Sequence, residues 1–168
     1  LPRNLLIMGG GLGLLPRRRA FYDALNALPN VHTTIITGRN EKLRRRLEGR
    51  WENIEVLGFT DRVADYMARS KPGGITMFEA IFSQLPLLAW GPYLAQEQEN
   101  AAFLTAAGVG RVTDRDPEAC LAAIRSTIYN DTLLSPMADN MGLLKAQLTA
   151  EYVSDILAAL AQRKKVAA

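Results

Sequence analysis

Cysteine and histidine occur once each, as Cys120 and His32. A single cysteine excludes an internal disulfide framework and suits a reducing compartment. Two soft ligands are too few for a structural zinc site, and no other metal-ligand spacing is present. No apolar run approaches the roughly 20 residues needed to cross a bilayer, and no signal-peptide pattern opens the chain. The first residues, LPRNLLIMGGG, lack an initiating Met and run straight into an apolar stretch. The chain is therefore expected to be a piece of a longer protein.

What is present is ordinary for a globular α/β domain: 168 residues, 48% hydrophobic and 22% charged. That length supports one sizeable core, so a single domain over residues 1–168 is expected. The net charge of +3 is modest, but the cations cluster as Arg17-Arg18-Arg19, as Lys42 with Arg44-Arg45-Arg46, and as Arg163-Lys164-Lys165. Such runs read as solvated helix faces, with attraction to anionic lipid headgroups as the functional alternative. No aromatic stacking pattern accompanies them, which argues against nucleic acid.

Apolar runs alternate with helical periodicity, the pattern of βα units and a parallel, doubly wound sheet. Strands are expected at 4–8, 32–37, 54–59, 86–90 and 110–113. Helices are expected at 17–28, 41–49, 61–70 (with Asp61 as N-cap), 74–84 and 97–108, the last closed by Gly108. The tail reads as helices near 117–129, 132–148 and 150–163.

In an open parallel sheet, ligands bind where strands end and helices begin. MGGGLG (8–13) follows the first strand and places four glycines in five positions. Glycine lets backbone N–H groups approach a phosphate, and a helix N-terminus favours the anion. The P-loop pattern is absent. The dinucleotide fingerprint fails because Leu14 stands where the third glycine belongs, and the second strand ends without the acidic residue that would hold an NAD ribose. Arg39 can meet a 2′-phosphate, which leaves an NADP reading open.

SKPGGITMFEA (70–80) offers a second set of backbone donors at Gly73 and Gly74, and Glu79 can grip the paired hydroxyls of a ribose. Thr76 and Glu79 equally satisfy a capping box, which would make both of them helix-end residues. Lys71 fits either a phosphate contact or a solvated loop. At a third junction, AQEQENA (95–101), the side chains of Gln96, Glu97 and Asn100 suit sugar hydroxyls, or simply the first turn of an amide-rich helix.

LIMGGGLG, TGRN, VLGFT, KPGGITMFEA and QEQENAAFLTAAGVG stand in the order seen in MurG-like glycosyltransferases. Within that group the chain most resembles diacylglycerol glucosyltransferases and monogalactosyldiacylglycerol synthases, strongly over residues 4–113. The resemblance implies one half of a GT-B fold, the C-terminal Rossmann-like domain that binds a UDP-sugar. Gly10, Gly11 and Gly13 would then face the diphosphate together with Gly73, Gly74, Ile75 and Thr76, with Lys71 beside them. Glu79 would hold the ribose, the backbone of Gly58, Phe59 and Thr60 would read the uracil edge, and Gln96, Glu97 and Asn100 would serve the sugar. No cofactor or metal is implied beyond the donor substrate. The acceptor-binding domain with its base is absent, so the chain alone is expected to be inactive and His32 to be structural.

The whole enzyme would be an inverting hexosyltransferase acting on a membrane lipid such as diacylglycerol. It would work in the cytoplasm at the inner face of the plasma membrane. A MurG-type enzyme of peptidoglycan synthesis and a non-catalytic nucleotide-binding or NADP-binding module are the alternatives. One departure stands out: the family has an apolar strand immediately before KPGG, whereas here MARS runs directly into it.

Overall fold

The computed structural model describes residues 2–8, 15–61, 77–91 and 95–166. Three strands, β1 (Arg3–Met8), β2 (Val31–Ile36) and β3 (Ile54–Leu57), form a parallel ladder in the order β1–β2–β3. Its register runs from Arg3 opposite Val31 to Met8 opposite Ile36, and from Thr33 opposite Ile54 to Ile36 opposite Leu57. β4 (Leu87–Trp90) pairs in parallel with β5 (Gly110–Thr113). All five strands fall within a residue or two of their expected positions.

Side chains alternate across the strands with period two, as a sheet buried on both faces requires. Leu5 and Ile7 enter one core, with Leu88 from β4. Leu6 enters the other, with Leu87 from β4 and Val109 just before β5. The first core is covered by α1 (Arg19–Asn26), α2 (Glu41–Leu47) and α5 (Pro117–Ile128), through Phe21, Tyr22, Leu25, Leu43, Leu47, Leu121 and Ile124. The second is covered by α3 (Met77–Phe82), α4 (Ala95–Ala106) and α6 (Asp131–Val166), through Ala80, Ile81, Leu104 and Met141. Helices on both faces of a parallel layer make the expected doubly wound α/β fold. Each fully buried leucine is worth about 2 kcal/mol in transfer free energy.

Among the described residues the backbone ladder is divided: no described strand joins β1 to β4. Both cores nevertheless cross that division, so the side-chain layers are continuous where the ladder is not. The expected helix at 61–70, apart from Asp61 at its start, and the Ser70-Lys71 junction lie outside the described residues.

Two expectations are corrected. The first helix is shorter than 17–28, because Arg18 is extended (ψ 130°) and stands at its N-cap position. The tail beyond residue 131 is one helix of 36 residues, not two. The expected break at Thr149 closes because its hydroxyl donates to the Lys145 carbonyl oxygen at 2.7 Å, which satisfies it inside the helix. Pro136 falls in the second helical turn, where it removes one backbone hydrogen bond.

Candidate functional site

Parallel strands deliver their carboxyl ends to a common edge. Met8, Ile36 and Leu57 are in register, so β1, β2 and β3 exit side by side. Thr37 pins two of those exits together: its N–H donates to the Leu57 carbonyl oxygen at 2.9 Å and its hydroxyl to the same oxygen at 3.0 Å. Gly38 then turns the chain with φ +58°, and the Asn40 side chain caps α2 by accepting from the Leu43 N–H at 3.0 Å.

Gly58, Phe59 and Thr60 are brought to this edge. A methyl group on Gly58 would meet Arg44 Cδ at 3.2 Å and Glu41 Oε1 at 3.4 Å. Arg44 is held there by Glu41 at 3.0 Å and Glu48 at 3.2 Å. Even alanine would therefore crowd that ion-pair network. Phe59 leaves 69% of its surface exposed, an unusual place for a phenylalanine. The Arg39 guanidinium lies over its ring, 5.7 Å from the centroid. Arg39 thus meets an aromatic face on the candidate site. The sequence alone offered it only as a partner for a 2′-phosphate.

The exits of β4 and β5 lie together, with Trp90 opposite Thr113 and the Gly91 N–H donating to the Thr113 carbonyl oxygen at 2.9 Å. Arg115 Nε donates to the Gly91 carbonyl oxygen at 3.1 Å. A Cβ on Gly91 (φ +53°) would stand 2.1 Å from Arg115 Cγ, so the arginine closes over a position only glycine can hold. The Trp90 indole N–H is buried at the same exit and finds no acceptor among the described residues. Neither Arg115 nor Trp90 was singled out from the sequence. Their only local signal was the glycine following a strand.

Gln96, Glu97 and Asn100 lie in the first turns of α4, which begins at Ala95. Gln96 and Asn100 are four residues apart in sequence on this helix. Glu97 and Asn100 are exposed. Glu97 also complements the positive end of the helix dipole, so a structural role accompanies any binding role. Glu79 is the third residue of α3, within its first turn. Gly10, Gly11, Gly13, Lys71, Gly73, Gly74, Ile75 and Thr76 lie outside the described residues.

Other reactive groups sit elsewhere. His32 is near the start of β2, at the opposite edge, 4.0 Å from Glu55. Burial pushes the Cys120 thiol up to about 11 against a smaller lowering by a hydrogen bond with Thr113, which leaves it a poor nucleophile. Among the described residues no group of three His, Cys, Asp or Glu could hold a metal ion, and no helix is long and apolar enough to cross a membrane. A groove of about 760 Å³ is lined by Gln84, Gly142, Lys145 and Thr149. Gln84 lies three residues before the first residue of β4, so the groove is on the strand-start side and away from the site.

No family-wide sequence profile matches the chain. It is 33% identical over 147 residues to a processive diacylglycerol beta-glucosyltransferase of Staphylococcus saprophyticus, covering 82% of this chain and 37% of that protein. The chain is homologous to part of a diacylglycerol glucosyltransferase. The corresponding enzyme of Bacillus cytotoxicus is 28% identical over 163 residues, covering 91% of this chain and 42% of that protein. The chain thus spans about two fifths of the length of these diacylglycerol glucosyltransferases.

Solved structures agree on the fold. The spinosyn rhamnosyltransferase SpnG, complexed with thymidine diphosphate, superposes with a TM-score of 0.67 at 22% identity over 89% of this chain and 42% of that one. WaaG, a glycosyltransferase involved in lipopolysaccharide biosynthesis, gives 0.63 at 20% identity over 86% of this chain and 43% of that one. The architecture is the Rossmann-like domain of GT-B glycosyltransferases, as the diacylglycerol glucosyltransferase motifs imply.

Proposed function

We propose that this chain is the donor-binding domain of a glycosyltransferase that moves a hexose from a UDP-sugar to diacylglycerol or a related membrane lipid. The observation that carries the reading is the 33% identity, over 82% of the chain, to a processive diacylglycerol beta-glucosyltransferase. The placement of Gly58–Thr60 and of the α4 N-terminus at strand exits supports it.

Uracil would lie at the β3 exit, read by the backbone of Gly58, Phe59 and Thr60. The diphosphate would meet the backbone amides of Gly10, Gly11, Gly13 and of Gly73–Thr76, with Lys71 nearby. Glu79 would take the ribose hydroxyls. Gln96, Glu97 and Asn100 would hold the sugar. Backbone amides and helix N-termini then offset the charge that develops on UDP as it departs. The base that activates the acceptor hydroxyl would come from the acceptor-binding domain of the whole enzyme, which would work peripherally at the bilayer. Isothermal titration of the chain with UDP, UDP-glucose, UDP-galactose and NADPH tests this. UDP and one UDP-hexose should bind, whereas binding of NADPH without UDP would sink it.

A further inference from the structure

We propose that the outer face of α1 and α2 is a docking surface for an anionic lipid bilayer. Residues 17–52 carry nine Lys and Arg against four Asp and Glu, an excess larger than the net +3 of the whole chain. Leu43 and Leu47 turn inward, so Lys42, Arg45 and Arg46, at i, i+3 and i+4, share the exposed side of α2. Arg50 follows in the next turn, and Arg17, Arg18 and Arg19 are exposed at the start of α1.

The two groups belong to one surface. The ring centroids of Tyr22 on α1 and Trp51 after α2 lie 5.5 Å apart, and Trp51 Nε1 donates to Asp23 at 2.7 Å. Arg46 is close enough to act electrostatically on the Tyr22 phenol. The acids on this surface are largely engaged: Glu41 and Glu48 pair with Arg44, and Asp23 with Arg19 at 3.5 Å. Arg17, Arg18, Lys42, Arg45 and Arg50 form no ion pair among the described residues.

Long, solvated, unpaired cations spread over two helices suit a diffuse sheet of negative headgroups. Nucleic acid is disfavoured because Phe21 and Tyr22 are buried, and Trp51, half-buried against Tyr22 with its indole N–H held by Asp23, is a single aromatic and not a stacking platform. The choice of a bilayer rests on the proposed lipid acceptor, but the docking itself does not require nucleotide.

The test is co-sedimentation of the chain with phosphatidylcholine vesicles, with and without phosphatidylglycerol, at rising salt. Binding should require phosphatidylglycerol and fade as salt screens it. The pair Lys42→Gln with Arg45→Gln should weaken it roughly tenfold or more. Lys145→Glu, which removes the same charge from the opposite face, should leave it unchanged. Equal binding to neutral vesicles, or equal loss in the Lys145 variant, would overturn the proposal. So would binding of single-stranded RNA but not vesicles through Lys42 and Arg45. UDP titrated into the same proteins separates the two readings. Vesicle binding without UDP binding removes the glycosyltransferase reading alone, and the reverse result removes this one alone.

Discussion

The Arg39 guanidinium stacks over the exposed Phe59 ring at 5.7 Å, bridging the exits of β2 and β3. An exposed cation–π contact contributes only about 0.5–1 kcal/mol, so stability alone explains little of its position. If uracil is read by the backbone here, the pair forms a wall of the base pocket. Phe59→Ala should then weaken UDP by about 1–2 kcal/mol while leaving inorganic pyrophosphate affinity unchanged. Calorimetry with both ligands checks this, and an equal loss for pyrophosphate would place the effect outside base recognition.

Glu79 separates two roles that its position in the first turn of α3 leaves together. As a ribose ligand, its replacement by alanine should weaken UDP by about 1–3 kcal/mol, the scale for unpaired hydrogen-bonding groups. As a capping-box member only, it should lower unfolding stability by about 1 kcal/mol and leave UDP affinity alone. Titration and urea denaturation of the one variant distinguish the outcomes.

Local signals were legible in the sequence and distant ones were not. Continuous apolar or β-branched runs located β1, β2 and β4 because both faces of those strands are largely buried. Gly108 announced a helix end because a C′ residue needs a left-handed backbone whatever surrounds it. Arg115 over Gly91 joins residues far apart in sequence, and nothing near either predicts the other. The extent of α6 was misread for a similar reason: Met141, which is fully buried, ties the helix to a core assembled from other segments. The glycine loops were placed at strand exits by motif order, and their partners in space depend on contacts that periodicity does not encode.

Gly108 supports a quantitative test of that local reading. With φ +63° it closes α4 through its N–H to the Thr105 carbonyl oxygen at 3.1 Å and the Val109 N–H to the Leu104 carbonyl oxygen at 3.1 Å. A Cβ there would also stand 2.8 Å from Asn140 Nδ2, which donates to the Gly108 carbonyl oxygen at 3.1 Å. Gly108→Ala should cost about 1–3 kcal/mol, and Asn140→Ala about 1 kcal/mol. Urea unfolding of both variants checks the order. A Gly108→Ala protein as stable as the parent would show that the turn relaxes freely.

Alkaline stability follows from two buried acids. Burial raises the Cys120 thiol from 9.0 to about 11, and raises the Tyr22 phenol from 10.0 to about 12 despite Arg46. A folded value above the unfolded one means the native state holds its proton more tightly. The associated stability is complete below the unfolded value and is lost as pH rises through the folded one. The melting temperature should therefore decline from pH 9 through 11 as Cys120 contributes, and further toward 12 with Tyr22. Cys120→Ala should lower stability at neutral pH, because it leaves a cavity, yet flatten the decline between pH 9 and 11. Thermal melts of the two proteins across that range decide it, since a purely packing role for Cys120 would leave the two slopes parallel.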